Sequence, residues 1–193
     1  MTVFLVRHGQ STGNAGRVFS GMTDHPLTGL GRAQAAEAGR TLDGVGFAHV
    51  FTSELSRAVE TADLLLAAAG VRFDRPRRLR GLNERDFGVF ETANDPGVEH
   101  LPKDDLRRRV CLDIDYRPKD GESMRDCLER AVSCLEGEIL PLAGDGHILV
   151  VAHGNVIRSL ALVHLGWPPE MLPEMPSRNC LITRIEPAGW RKA

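Results

Sequence analysis

Apolar positions follow two rhythms along this chain, and together they predict a sheet with helices packed against it. Thr2 to Val6 is short, β-branched and apolar, the pattern of a strand buried on both faces, and it runs straight into Arg7-His8-Gly9. Thr28 is placed to cap a helix reaching about Leu42, with a modest apolar side at Ala33, Ala36 and Leu42. Val50-Phe51-Thr52 reads as a second strand. After it, Leu55, Ala58, Val59, Ala62, Leu65, Leu66 and Ala69 recur at helical intervals, with Arg57 in the first turn. Ser123 with Asp126 has capping-box spacing, and Met124, Cys127, Leu128, Ala131, Val132, Leu135 and Ile139 form one continuous stripe. Ile148 to Ala152 is a third buried-type strand, ended by His153-Gly154-Asn155. A helix from Val156 to Leu165 and a last strand from Cys180 to Ile185 complete the pattern.

Between Arg72 and Asp120 the periodicity fades into charges and prolines, which predicts long loops and one short helix near Lys103 to Val110. Strands alternating with helices imply right-handed crossovers and an α/β fold: three layers, α/β/α, around a mainly parallel central sheet. In such sheets ligands bind beyond the carboxyl ends of the strands. His8 and His153 both fall at predicted strand ends, so they are expected to share one crevice.

The 193 residues suit a single domain spanning 1–193, with no repeat or linker to divide it. A formal net charge of −2 advertises neither nucleic acid nor an acidic membrane as a partner, so any basic character that matters must be local. The four cysteines, Cys111, Cys127, Cys134 and Cys180, lack metal or disulfide-scaffold spacing and read as reduced thiols of a cytoplasmic protein. The apolar run Val3 to Val6 is too short for a signal peptide, and no stretch approaches the ~20 apolar residues of a membrane span.

Candidate chemistry concentrates after the first strand. Arg7, His8, Gly9, Gln10, Ser11 and Asn14 place a cation, an imidazole and several donors in one loop, a set suited to phosphate. A neutral imidazole nitrogen can attack phosphorus while guanidinium groups bind the equatorial oxygens and offset their charge. Phosphoryl transfer is mostly positioning and electrostatics, so such a set suffices without a metal. Taken singly, each residue also has a plainer reading. Arg57 alone would be a solvated first-turn residue at odds with the helix dipole, a misfit that a bound anion would relieve. Glu84 alone would read as an ion-pair partner of Arg85 or Arg80.

Leu5-Val6-Arg7-His8-Gly9-Gln10-Ser11 resembles the signature loop of the histidine phosphatase superfamily, which includes the cofactor-dependent phosphoglycerate mutases. The resemblance continues in order through Phe19-Ser20-Gly21 with Asp24, Pro26-Leu27-Thr28 and Gly31; Thr52-Ser53-Glu54-Leu55-Ser56-Arg57-Ala58 with Thr61; Leu82-Asn83-Glu84-Arg85 with Gly88; Gly121-Glu122-Ser123; and Ala152-His153-Gly154-Asn155. It implies a phosphoglycerate mutase-like fold. His8 would be the nucleophile of a phosphohistidine intermediate, Arg7, Arg57 and His153 would surround the phosphoryl group, and Glu84 would be the proton donor. Phosphate- or substrate-binding roles would fall to Asn14, Ser20, Gly21, Gly154 and Asn155, with Arg108 and Arg109 near the mutases' paired arginines. A carboxyl group beside phosphate would feel like-charge repulsion and desolvation, which favour its protonated form.

Mutases of this family usually carry a tyrosine where this chain has Phe87, a glycine where it has Thr92 and a lysine near Asp95. Those departures, and an ending Asn179-Cys180-Leu181-Ile182-Thr183 that resembles the phosphatases' terminal strand, favour hydrolysis of a small phosphomonoester. On that reading no cofactor is required. A mutase using 2,3-bisphosphoglycerate is the alternative, and an inactive module binding phosphorylated ligands a more distant one. Arg107-Arg108-Arg109 reads equally well as a solvated helix face. Gly29-Leu30-Gly31 lacks the third glycine of a dinucleotide loop. The sequence leaves the substrate and the oligomeric state, a dimer included, open.

Overall fold

The computed structural model describes residues 1–91 and 103–190, with side chains in the second range from Arg108 onward. Five strands, β1 (Val3–Arg7), β2 (Phe47–Thr52), β3 (Arg77–Arg78), β4 (His147–Ala152) and β5 (Ile182–Ile185), form one sheet in the order β3-β2-β4-β1-β5. β1, β2, β3 and β4 run parallel, and β5 lies antiparallel on the edge beside β1. The helices are α1 (Thr12–Gly16), α2 (Gly29–Arg40), α3 (Ser56–Ala68), α4 (Lys103–Leu112), α5 (Met124–Cys134) and α6 (Gly154–Leu165). Helices cover both faces of the sheet, as the α/β/α expectation requires.

Alternation along the central strands divides the interior into two cores. Val3 and Leu5 of β1 join Ile148, Val150 and Ala152 of β4 against α5 and α6. Phe4 and Val6 join Val50, Leu149 and Val151 against α2 and α3. Strands buried on both faces read as unbroken apolar runs, which is why β1 and β4 were legible from sequence.

Several boundaries differ from the sequence expectation. The buried side of α2 is Ala35, Ala38 and Gly39 with Leu42 beyond its end, whereas Ala33 is exposed. Small residues there let the helix approach α3 so closely that a Cβ on Gly39 would collide with the Leu65 carbonyl. α6 starts at Gly154, two residues before Val156. α5 keeps its capping box, Ser123 with Asp126, but after Cys134 it passes into a π-helical turn, Leu135–Ile139, that continues the buried stripe. Cys180 is a left-handed residue (φ 55°) rather than the start of β5, and its N–H donates to the Arg7 carbonyl at 3.0 Å. The two-residue strand β3 and the five-residue helix α1 carried no periodic signal. No helix among the described residues is long and apolar enough to cross a membrane.

Candidate active site

Three neighbouring strands deliver the site. Arg7 of β1 pairs with Ala152 of β4, so His8 and His153 emerge side by side, and their rings stand 5.0 Å apart. That spacing is close to the distance between adjacent strands. Thr52 of β2 pairs with Val151, which brings Ser53 and the start of α3 beside His153. His8 and His153 are buried, at 3% and 0% exposure.

His8 is fixed from three directions. Its N–H donates to the Ala152 carbonyl at 2.9 Å, and its carbonyl accepts from Asn179 Nδ2 at 2.9 Å. Its Nδ1 lies 2.7 Å from the Gly9 carbonyl, which can only accept, so Nδ1 carries the hydrogen and Nε2 keeps the lone pair. Gly9 is held in turn by Thr61 Oγ1, which accepts from its N–H at 3.0 Å. A Cβ on Gly9 would collide with the Gly31 carbonyl, so glycine here is required for α2 to pack on the loop.

Asn14 closes the small helix α1 as part of a capping box with Ser11. Its Oδ1 accepts from the Ser11 N–H and from Asn179 Nδ2, both at 3.2 Å, which leaves its Nδ2 as the free donor. Arg57 is almost wholly buried and donates to three carbonyls, those of Thr23 (2.9 Å), Ser20 (3.1 Å) and Gly21 (2.7 Å). Ser20 and Gly21 therefore act through their backbones, holding a guanidinium. Glu91 fastens the same loop by accepting from the N–H groups of Met22 and Thr23. Arg7 donates through Nη1 to the carbonyl and hydroxyl of Ser177.

The expected clash of Arg57 with the α3 dipole is partly answered by the protein itself. Asp24 accepts from the Ser56 N–H at 3.0 Å, capping a helix whose N-cap residue, Leu55, supplies no side-chain bond, and it lies 3.6 Å from Arg57 Nη1. Glu84 does the same for α6. Its Oε1 accepts from the N–H of Asn155 at 3.2 Å and of Arg85 at 2.9 Å, leaving Oε2 less engaged. Arg85 is not its ion-pair partner: that guanidinium is buried against the carbonyls of Glu122, Val110 and Tyr116.

Five buried side-chain polar atoms among the described residues lack a hydrogen-bond partner, and three of them belong to this cluster: Arg7 Nε, Arg57 Nε and His153 Nδ1. A buried polar atom left unpaired costs about 1–3 kcal/mol. All three belong to residues grouped about His8, whose ring lies 5.0 Å from that of His153 and feels the charges of Arg7 and Arg57. Burial lowers the pKa of both Arg7 and Arg57, with the Glu84 carboxylate opposing it.

Burial, then Arg7 and Arg57, hold the His8 pKa well below 6.5; burial, then Arg57, His8 and Arg7, do the same for His153. Both rings are neutral at pH 7. The unfolded chain binds protons at these histidines below about pH 6.5 while the folded protein does not, so stability falls as pH drops from 7. Each ring contributes a slope of about 1.4 kcal/mol per pH unit until its folded pKa is reached. Melting temperatures between pH 7.5 and 5 are expected to fall, with a smaller fall in His8→Gln and in buffers containing phosphate. An unchanged slope in His8→Gln would count against a neutral His8.

Arg108 and Arg109 are exposed on α4, and the Arg109 guanidinium lies over the Tyr116 ring, 4.6 Å from its centre. The Arg107 side chain, Thr92 and Asp95 lie outside the described residues. Sequence reasoning gave no role to Ser53, Thr61, Ser177 or Asn179, and it passed over Arg158. That guanidinium reaches back one turn of α6 to the Gly154 carbonyl (3.3 Å) and Asn155 Oδ1 (2.6 Å). Its four-residue spacing from Gly154 was the available signal.

Known proteins share this fold. The sequence model of the histidine phosphatase superfamily (branch 1) matches residues 3–193. A 2,3-bisphosphoglycerate-dependent phosphoglycerate mutase from Methylobacterium radiotolerans is 39% identical over 178 residues, covering 91% of this chain and 84% of that protein. YhfR of Bacillus stearothermophilus superposes with a TM-score of 0.83 at 28% identity, over 96% of this chain and 90% of that one. The alpha-ribazole phosphatase from Shigella flexneri does so with a TM-score of 0.80 at 27% identity, over 96% and 90%. With the family pattern running from the first strand to the end of the chain, and the paired strand-end histidines in place, this protein belongs to the histidine phosphatase superfamily.

Proposed function

We propose that the chain is a phosphomonoester hydrolase acting on a small phosphorylated substrate through a phosphohistidine at His8 Nε2. The observation that carries this reading is the grouping of Arg7, Arg57 and His153, each with an unpartnered buried nitrogen, about an imidazole whose tautomer leaves a lone pair at Nε2. In the first step Nε2 bonds to phosphorus, the ester P–O bond breaks, and the leaving alkoxide takes a proton from Glu84. In the second, Glu84 removes a proton from water, whose oxygen displaces His8 and releases inorganic phosphate. The arginines offset the charge on the equatorial oxygens throughout. Glu84 is suited to both proton transfers because the backbone of Arg85 and Asn155 fixes one carboxyl oxygen and leaves the other less engaged.

Hydrolysis is favoured by the phosphatase among the solved structures and by Phe87 standing where mutases carry tyrosine. A second reading, mutase, is favoured by the name of the Methylobacterium relative, and it would bring in 2,3-bisphosphoglycerate. On the preferred reading one domain spans 1–193, no cofactor is needed, and the partner is a small phosphomonoester. Four unpaired thiols are in keeping with a cytoplasmic protein. p-Nitrophenyl phosphate is expected to be hydrolysed in EDTA. With 3-phosphoglycerate and 2,3-bisphosphoglycerate, phosphate release is expected to exceed interconversion. Rapid interconversion with little phosphate release would establish the mutase instead, and phosphate binding with no turnover of any ester would leave a binding module.

A further inference from the structure

Ser53 and His153 are both wholly buried and touch where two adjacent strands end, with Ser53 Oγ 2.7 Å from His153 Nε2. Strand register makes the contact, since the Ser53 N–H donates to the Val151 carbonyl at 3.1 Å. A serine hydroxyl has one hydrogen to give and two lone pairs. One lone pair is engaged by the Leu55 N–H at 3.2 Å, and the acceptor that the structure offers the hydrogen among the described residues is His153 Nε2.

The two possible tautomers of His153 differ in what they leave unpaired. A hydrogen on Nε2 would strand the serine hydrogen and leave a lone pair at buried Nδ1 with no protein donor. A hydrogen on Nδ1 satisfies Ser53 and Nε2 together and leaves one N–H, at the Nδ1 atom that meets no protein partner. We propose that Ser53 is a positioning residue that holds His153 as its Nδ1–H tautomer, so that His153 serves as a neutral hydrogen-bond donor to the transferring phosphoryl group. This rests on the phosphoryl-transfer reading of the site. Burial and the neighbouring Arg57, His8 and Arg7 keep the ring uncharged, in accord with a neutral donor. Both histidines then carry hydrogen on Nδ1. His8 spends it on the Gly9 carbonyl and offers a lone pair, whereas His153 spends its lone pair on Ser53 and offers a hydrogen.

Long-range 1H–15N correlation spectra of the 15N-labelled protein, in phosphate-free buffer at pH 7.5, read the tautomer directly, with His153→Gln assigning the ring. The expected spectrum shows His153 protonated at Nδ1 and bare at Nε2. A proton on Nε2, or on both nitrogens, overturns the proposal, and this readout stands even if the protein hydrolyses no phosphoester. In Ser53→Ala a population with hydrogen on Nε2 is expected to appear, and kcat/KM to fall about 10- to 100-fold, the scale of one lost charge-assisted hydrogen bond. A folded Ser53→Ala protein with the wild-type tautomer and undiminished kcat/KM would also overturn it.

Discussion

His8→Ala is expected to lower phosphoester turnover by roughly 10^4- to 10^6-fold, the scale seen when a nucleophile acting within a coupled catalytic set is removed. The residual rate would come from the arginines and Glu84, which can still orient an ester and a water. The same substitution should abolish a phosphoenzyme that forms in wild type within the first turnover, is lost in acid and survives in base. A phosphoramidate behaves in this way because protonation of its nitrogen makes the imidazole a good leaving group. Acid-quenched and base-quenched samples with 32P-labelled substrate separate the outcomes: an adduct that survives acid, or persists in His8→Ala, would place the nucleophile elsewhere. The variant should fold, because the backbone bonds to Ala152 and Asn179 do not depend on the ring.

Arg57→Ala is expected to lower kcat/KM by about 10^3-fold, in the range for losing a preorganised cation from a phosphoryl-transfer site. The loss has two origins. The guanidinium itself disappears, and the carbonyls of Ser20, Gly21 and Thr23 lose the donor that draws their loop onto α3. Arg57→Lys should recover little, since an ammonium lacks the planar fork that reaches three carbonyls and still leaves Nε over. Inorganic phosphate should raise the melting temperature of wild type and fail to raise that of Arg57→Ala. Retention of more than a tenth of wild-type kcat/KM in Arg57→Ala would remove this residue from the phosphate site.

The parts of this molecule that were legible in sequence are those whose physics is local. β1 and β4 announce themselves as apolar runs, and His8 and His153 follow them directly, so the closeness of the two histidines is readable from the sequence. Glu84 was readable only through its resemblance to a family motif, because nothing in its neighbourhood shows that its carboxylate caps a helix 70 residues later in the chain. Ser53, Ser177 and Asn179 depend on strand order and on a turn at Cys180, which no periodicity encodes. Of the apolar side expected for α2, Leu42 is buried and Ala36 half-buried but Ala33 is exposed, since alanine and glycine give almost no directional signal and the buried side is chosen by how closely α3 can approach. β3 escaped notice because two charged residues satisfy an edge strand without any apolar pattern.

The strand order β3-β2-β4-β1-β5 has a bearing on how the polypeptide reaches its native state. β1 has both its neighbours, β4 and β5, far downstream in the chain, and the His8 carbonyl waits for Asn179. A nascent chain holding only its first half has an apolar N-terminal strand with nothing to pair with, and closing loops of that length is entropically slow. Assembly of the sheet centre therefore waits for β4, the strand that joins β1 to β2, while β5 adds only an edge.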